Sequence, residues 1–274
     1  MSLKVTIDFE YGFEYYNRVI VTLSGGKASA WCANWAFKNF PKNDIILYFN
    51  DTKWENSDLY RFLRDLELYF NHNILYDSDG RNPEQLFYDN RALANNRMPF
   101  CSRILKAERL QKFYRHNDIL IFGIGIDEIE RANRLDDVYQ IVSYKKNKKA
   151  KLYFPLIENN VSNIEIDEFL KYINVEEPVL YKLGFKHNNC SGGCVRAGKK
   201  HWKLLYEKLP IIYLKREQTE EKIRKYLNKD VSYFKDETLK HFRKRIKNKQ
   251  LSKYYYTEIH ETETECMGIC DTIG

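Results

Sequence analysis

Short apolar runs alternate with longer segments of helical periodicity along the first half of the chain. The apolar runs, rich in β-branched residues, predict strands at 19–23, 45–49, 73–76 and 119–125. The segments between them predict helices at 28–40, 55–70 and 102–114. Strands that alternate with helices indicate a twisted parallel sheet with helices on both faces, joined by right-handed crossovers. We therefore predict a Rossmann-like α/β fold.

The pattern changes near residue 155. Ser162 and Glu165 have the spacing of a capping box at the start of a helix. Further helical patterns follow at 195–208, 219–228 and 233–249. The lysine-rich segment 144–151 predicts a solvated loop. We predict a nucleotide-binding domain over 1–154 and a helical, cysteine-containing C-terminal subdomain over 155–274.

The amino-acid composition indicates a globular protein. The 274 residues are 43% hydrophobic and 15% aromatic, enough for a buried core. No run of about 18 apolar residues is present, which excludes a membrane-spanning segment. We therefore expect no membrane partner. The N-terminus carries no signal-peptide pattern, so we expect a cytoplasmic protein whose six cysteines are reduced. The net charge of +7 favours anionic ligands but does not choose between nucleotide and nucleic acid.

The segment TLSGGKASAW at 22–31 combines a strand end, a glycine turn and a helix start. Gly25 and Gly26 allow backbone amides to approach an anion closely, and the helix N-terminus adds free N–H groups. Lys27 would contribute charge, while Ser24 and Ser29 would contribute hydroxyl donors. The spacing differs from both the Walker loop and the dinucleotide-binding turn. The segment predicts a phosphate site of another kind.

This loop resembles the PP-loop of the adenine nucleotide α-hydrolase-like superfamily, S-G-G-x-[DK]-S. The resemblance implies an adenine nucleotide held by its phosphate or sulfate groups, with chemistry at the α-phosphate. ATP, phosphoadenylyl sulfate (PAPS) and adenylyl sulfate are the candidate nucleotides, with Mg²⁺ as a further candidate cofactor. Ala28 stands where many members carry aspartate.

Three further stretches are similar to the PAPS reductase family. In YFNDTKWEN (48–56), the resemblance implies that Asp51 and Thr52 lie near the nucleotide. CSRILKAERL (101–110) resembles the C-C-x-I-R-K-V-E-P-L segment of iron–sulfur adenylyl-sulfate reductases and implies a catalytic Lys106. Within that segment, Ser102 replaces the second cysteine and Arg109 replaces the proline.

The third stretch, GIGIDEIERANR (123–134), is similar to the family's G-[IL]-R-x-x-[EQ]-S-x-x-R element. The resemblance implies an anion-binding arginine at Arg131 or Arg134. We assign Gly123 and Arg131 to the nucleotide and Arg134 to catalysis.

Cysteines suggest a metal centre. Cys190 and Cys194 are joined by Ser-Gly-Gly, and Cys266 and Cys270 have the same spacing in the tail. Four thiolates suit an iron–sulfur cluster or zinc, and spacing does not separate the two. The resemblance favours a [4Fe-4S] cluster and adds Cys101, which lies in the segment that supplies ligands in related reductases. Cys32, between two tryptophans on the first helix, is expected in the core.

Cys266 has two candidate roles. Glu265 and Cys266 resemble the start of the family's E-C-G-[LI]-H motif, which carries the nucleophile, but Met267 is inserted. Cys266 is therefore a candidate nucleophile and a candidate metal ligand, and one thiolate cannot serve both at once. We favour the ligand role, with Cys190, Cys194, Cys266 and Cys270 together and Cys101 near them or substituting for one of them.

Three functions remain open on these grounds. The first is a PAPS or adenylyl-sulfate reductase-like enzyme with a thiol electron donor. The second is an ATP pyrophosphatase that adenylates tRNA or DNA before sulfur transfer; the basic helix at 240–249 fits it modestly. The third is a non-catalytic nucleotide- and metal-binding accessory protein, which Ala28 and the altered tail motif allow.

Overall fold

A five-stranded sheet, in which every pairing is parallel, forms the centre of the protein. The computed structural model describes residues 18–248. The strands are β1 (Val19–Leu23), β2 (Ile45–Asn50), β3 (Ile74–Asp77), β4 (Ile119–Phe122) and β5 (Lys151–Tyr153). Their order is β3-β2-β1-β4-β5, so the direction of winding reverses between β1 and β4. The predicted parallel α/β fold and its four predicted strands are confirmed.

Helices cover both faces of this sheet. They are α1 (Lys27–Asn39), α2 (Ser57–Phe70), α3 (Pro83–Asp89), α4 (Phe100–Ser102), α5 (Glu108–Phe113) and α6 (Ile129–Lys146), with a π-helix (Arg103–Ala107) between α4 and α5. On one face, Cys32 of α1 and Leu59 of α2 pack against Val21 and Leu47. On the other face, α5 and α6 pack against the alternate side chains of β1 and β4. The predicted two-sided covering is therefore correct.

Residues 144–151 are not a continuous loop. Residues 144–146 form the last turn of α6, and Lys151 begins β5, leaving 147–150 as the connection. Strand β5 has three residues, the first of them exposed, so it has no apolar run from which to predict it. Helix α6 buries few apolar side chains, which made its periodicity weak.

The C-terminal part is helical, as predicted. It contains α7 (Pro155–Glu158), α8 (Asn163–Tyr172), α9 (Val179–Lys182), α10 (Lys199–Lys208), α11 (Pro210–Leu227) and α12 (Leu239–Lys247), with a 3₁₀ turn (Cys190–Gly192). The capping box of Ser162 and Glu165 is present at the start of α8. Three starts were misplaced: α10 begins at Lys199 rather than at 195, α11 at Pro210 rather than at 219, and α12 at Leu239 rather than at 233. No helix within the described part is long and apolar enough to span a bilayer.

One core joins the C-terminal helices to the first half of the chain. Trp202 of α10 and Phe242 of α12 belong to the same buried cluster as Trp54 and Cys101. Leu156 and Ile166, in contrast, pack with the sheet core. The boundary between residues 154 and 155 stays a prediction, and both sides of it contribute to the packing around the sheet.

Glu220 of α11 is fully buried and connects α11 to the segment before α12. Its carboxylate accepts hydrogen bonds from the backbone N–H of Tyr233 (2.9 Å) and of Leu239 (2.7 Å). Burial raises its pKa from 4.5 to about 7, although the two backbone N–H groups act in the opposite direction. Glu220 is thus protonated more readily in the folded protein than in the unfolded chain.

We expect the stability of the protein to fall between pH 4.5 and pH 7 because of Glu220. A pKa raised on folding gives a stabilisation that is complete below the unfolded value of 4.5 and is lost as the pH rises through about 7. The loss is on the order of 3 kcal/mol. Urea unfolding at a series of pH values should show that the free energy of unfolding of the wild type falls over this range and that the fall is absent in Glu220→Gln. Glu221→Gln, at the neighbouring position, is the control, and an unchanged slope in Glu220→Gln would contradict the assignment.

Candidate nucleotide site and cysteine cavity

The glycine turn lies between β1 and α1, at the point where the strand order reverses. Gly25 has φ of +77°, and a Cβ there would lie 2.6 Å from the Leu59 side chain. Both the backbone conformation and the packing therefore require glycine at this position. A Cβ on Gly123, just beyond β4, would lie 2.8 Å from the backbone nitrogen of Ser29. The end of β4 and the first turn of α1 are thus in backbone contact.

Hydroxyl groups of the turn organise the turn itself. Ser29 Oγ donates to the Gly26 carbonyl (2.9 Å) and accepts from the backbone N–H of Ser24 (3.1 Å). Ser24 Oγ accepts from the Gly26 N–H at 3.3 Å. Asn188 Nδ2, from the distant cysteine segment, donates to the Gly25 carbonyl at 2.8 Å. Sequence reasoning missed Asn188, because nothing in HNNC distinguishes it from an ordinary loop asparagine.

Lys27 points towards the C-terminal helices. Its ammonium bonds to Asp167 of α8 at 2.5 Å and lies 5.2 Å from the ring centroid of Tyr181. The Lys27 side chain is 19% exposed and that of Asp167 is 44% exposed. Asp167 therefore competes with any phosphate for this cation.

Asp51 and Thr52 follow β2 at the same edge of the sheet and are both buried. Asp51 accepts hydrogen bonds from Lys53 Nζ (2.8 Å) and Tyr60 Oη (2.7 Å). Burial alone would raise the pKa of Asp51, but the bonds from Lys53 and Tyr60 outweigh it and the pKa lies below its usual value. The carboxylate is thus ionised at neutral pH.

Two cavities adjoin each other at this edge. The first is lined by Ser24, Asn50, Phe122 and neighbouring residues at the ends of β1, β2 and β4. The second is lined by Cys101, Cys190 and Cys194, together with Thr52 and Trp54. We call the first the strand-end cavity and the second the cysteine cavity. Lys106, on the π-helix, lines both. Isolated π-helical turns frequently occur at functional sites.

The two candidate arginines lie outside these linings. Arg131 is 4% exposed and bonds to Glu128 at 2.6 Å. Arg134 is exposed on α6. Neither lines the strand-end cavity or the cysteine cavity. Their assigned roles stay predictions.

The loop that carries Cys190 is strained. Cys190 and Ser191 have φ of 52° and 55°, in the left-handed region that non-glycine residues seldom adopt. Glu55 holds the loop by accepting from the Cys190 N–H at 2.6 Å, and Ser191 Oγ donates to the Trp54 carbonyl at 2.8 Å. Strain of this kind persists where surrounding contacts enforce it, and it is concentrated at functional sites.

Three cysteines line the cysteine cavity, and thiolates are the ligands that hold an iron–sulfur cluster. Cys101 and Cys190 are buried, Cys194 is half-buried, and none forms a disulfide with another described cysteine. Over residues 18–248, no three His, Cys, Asp or Glu side chains are arranged to hold a metal ion. The core around the thiols contains buried hydrogen-bond donors that have no acceptor among the described residues, namely Trp202 Nε1, Arg216 Nε and Tyr233 Oη. Thiols beside unpaired donors fit a sulfur-rich anionic group.

Two predicted ligands, Cys266 and Cys270, lie outside the described residues. Cys32 is fully buried beneath the sheet, as expected, and burial raises its pKa far above that of an ordinary thiol. It is therefore a core residue.

The parallel sheet, with a glycine turn where the strand order reverses, has the architecture of the open α/β proteins that bind ligands at such a point. The chain belongs to the phosphoadenosine phosphosulfate reductase domain family, whose model matches residues 18–197. This is the PP-loop family that the sequence motifs indicated, a family of enzymes that bind adenine nucleotides.

Comparison with curated protein sequences gives no match. Six chains of solved structures match, among them the U34-tRNA thiolase NcsA from Methanococcus maripaludis with its [4Fe-4S] cluster. That chain is 15% identical, with a TM-score of 0.44 and coverage of 80% of this chain and 75% of its own.

We expect Asp167→Asn to strengthen adenine-nucleotide binding, because the Lys27 ammonium is then released to the phosphates. A half-exposed ion pair of this kind is worth about 0.5–1 kcal/mol, so the gain should be about two- to fivefold in affinity. Calorimetry with ATP and adenylyl sulfate measures it. Lys27→Ala should weaken binding, and in the double variant the effect of Asp167→Asn should disappear. Equal affinities in all four proteins would remove Lys27 from the nucleotide site.

Proposed function

We propose that this protein is a sulfonucleotide reductase-like enzyme that binds an adenine nucleotide in the strand-end cavity beside a [4Fe-4S] cluster in the cysteine cavity. The observation that supports this most directly is that Lys106 lines both cavities. A single side chain can then contact the reacting end of the nucleotide while it borders the thiols.

The nucleotide half of the proposal rests on the edge of the sheet. The backbone N–H groups at the start of α1, next to the turn of Ser24, Gly25 and Gly26, suit a phosphate or sulfate. Asp51, Thr52 and Gly123 follow the neighbouring strands at the same edge. The family match supports an adenine nucleotide.

The metal half rests on the cysteine cavity. Cys101, Cys190 and Cys194 would hold the cluster, and Cys266 and Cys270 are the candidates for any further ligand. A cluster held there would supply electrons or a Lewis-acidic iron next to the nucleotide. Zinc is the alternative, since thiolates bind it equally well.

The reductase mechanism needs the other candidate role of Cys266, in which it is the nucleophile and not a cluster ligand: its thiolate attacks the sulfur of PAPS or adenylyl sulfate. The bond between sulfur and the bridging phosphate oxygen breaks, and the nucleotide leaves with the electron pair. An external thiol then attacks the S-sulfonated Cys266, which releases sulfite and leaves a disulfide between the two thiols. Lys106 stabilises the negative charge that develops on the leaving phosphate.

Adenylation of tRNA or DNA is the alternative, and the charges of α12 give it little support. Lys240 bonds to Glu221, Arg243 to Glu217 and Arg245 to Glu237. Much of the positive charge of this helix is thus compensated within the fold, which leaves less for a nucleic-acid backbone.

Anaerobic purification with iron and sulfide analysis tests the cofactor. We expect about four irons per chain and a loss of iron in Cys101→Ala, Cys190→Ala and Cys194→Ala, because each removes a ligand. Cys32→Ala, which removes a core thiol, is the control and should keep its iron. A colourless protein that contains zinc would contradict the cluster. Cys266→Ser then assigns the tail: loss of sulfite release with iron retained indicates the nucleophile, and loss of iron indicates a ligand.

Lys106→Met should lower turnover about 10²–10³-fold, the usual cost of removing one transition-state charge contact. Iron content should be unchanged, because Lys106 is not a ligand. The measurement is sulfite release from PAPS and adenylyl sulfate, run in parallel with pyrophosphate release from ATP. Full activity in Lys106→Met would contradict its role. Release of pyrophosphate without sulfite would support adenylation. Release of neither product would support a non-catalytic binding protein.

A further inference from the structure

Arg216 is a buried cation beside the cysteine cavity. It lies on α11, is 7% exposed, and its guanidinium is 3.4 Å from the centroid of the Trp54 ring. Its Nη2 donates to the carbonyl of Cys190 at 3.1 Å. Trp54 and Cys190 both line the cysteine cavity. The guanidinium is therefore held against the wall that carries the thiols.

This charge lacks the carboxylate partner that other arginines of the fold have. None of the ion pairs between described residues includes Arg216, whereas the buried Arg131 has Glu128 and the half-buried Arg18 has Asp118. Its Nε is buried without an acceptor within residues 18–248. Removing an unpaired ion from water costs several kcal/mol, and stacking on Trp54 offsets only part of that. Glu55 and Glu84 lie near enough to act on this charge electrostatically, but no ion pair joins either of them to Arg216. The burial therefore favours an anion in closer contact.

The loop between Cys190 and Cys194 is shaped to leave room for this guanidinium. A Cβ on Gly193 would lie 2.8 Å from Arg216 Nε. Any larger residue at 193 would push the guanidinium away from the loop. The glycine thus serves the contact between Arg216 and the cysteine segment, not only the turn.

Two more unpaired donors belong to the same core. Tyr233 is 2% exposed and Trp202 fully buried, and their rings stack at 5.4 Å. Tyr233 Oη and Trp202 Nε1 have no acceptor within the described range. Burial raises the pKa of Tyr233 well above its ordinary value, and both Arg216 and Cys101 are close enough to influence it. One cation and two neutral donors without acceptors among the described residues thus belong to the part of the core that contains Cys101 and Cys190.

We propose that Arg216 is the counter-cation of the cluster, a positioning residue that offsets the negative charge of the thiolate-bound irons and raises their reduction potential. The proposal rests on the cluster of the proposed function. Hydrogen bonds and charge near the sulfurs set the potential of such clusters. Removal of the positive charge stabilises the oxidised form, which carries less negative charge, so the potential becomes more negative.

Arg216→Met and Arg216→Lys test the proposal in the full-length, anaerobically reconstituted protein. The readouts are iron per chain, the reduction potential from a spectroscopic redox titration, and urea unfolding of the metal-free protein. We expect a tenfold shift of the redox equilibrium in Arg216→Met, about 59 mV for one electron, and a smaller shift in Arg216→Lys. The metal-free methionine variant should be at least as stable as the wild type, because an unpaired buried charge is gone.

Arg224→Met is the matched control, since it removes the same charge from the same helix two turns away, and it should leave the potential unchanged. A wild-type potential in an iron-loaded Arg216→Met protein would overturn the proposal and leave the cluster standing. Wild-type protein that contains no iron or sulfide after reconstitution would contradict both the cluster and the proposed role of Arg216. Should the methionine variant fail to fold, Arg216→Gln takes its place, and equal potentials for the glutamine and lysine variants would overturn the proposal.

Discussion

The Glu55 carboxylate connects the two halves of the site, and the arrangement of both depends on it. One of its oxygens accepts from Thr52 Oγ1 at 2.8 Å, at the carboxyl edge of the sheet, and the other accepts from the Cys190 N–H at 2.6 Å. The residues it joins are separated by more than 130 positions in the chain. Because a carboxylate bonded to backbone and hydroxyl donors forms strong hydrogen bonds, this bridge fixes the strained cysteine loop relative to the strand ends. Asn188 adds a second connection, to Gly25.

Local patterns predicted the elements with strong periodicity. The strands at the centre of the sheet are nearly continuous apolar runs because they are buried on both faces, and the glycine turn has a steric requirement that is visible in the sequence. Strand β5 and helix α6 were missed since an edge strand of three residues and a largely solvated helix bury few side chains. Their position depends on pairing with β4 and on packing, neither of which is encoded within a short window.

The site was harder to predict than the fold, for a related reason. Cys101, Cys190 and Cys194 could be proposed as ligands from the sequence, yet the partners that shape their cavity could not. Arg216 lies in a helix whose start was misplaced, and its sequence context is that of an exposed charged helix. Lys27 was expected to face phosphate, but Asp167, 140 residues further on, takes its ammonium. Contacts over such separations arise from the topology, and no spacing rule describes them.

Departures from the family pattern have structural counterparts. Arg109, in place of proline, forms a two-point contact with Asp77 at the end of β3, and Asp77 also accepts from Tyr48 Oη at 2.5 Å. This network therefore orders a wall of the strand-end cavity, which Tyr48 lines. Ser102, in place of the second cysteine, still lines the cysteine cavity but offers a hydroxyl where relatives offer a thiolate. The second departure leaves one thiol fewer at the cysteine cavity, whereas the first orders a wall of the neighbouring strand-end cavity. A cluster in this protein would accordingly depend more on the Cys190 loop, and on the Glu55 bridge and Arg216 contact that hold it, than on the segment that carries Cys101.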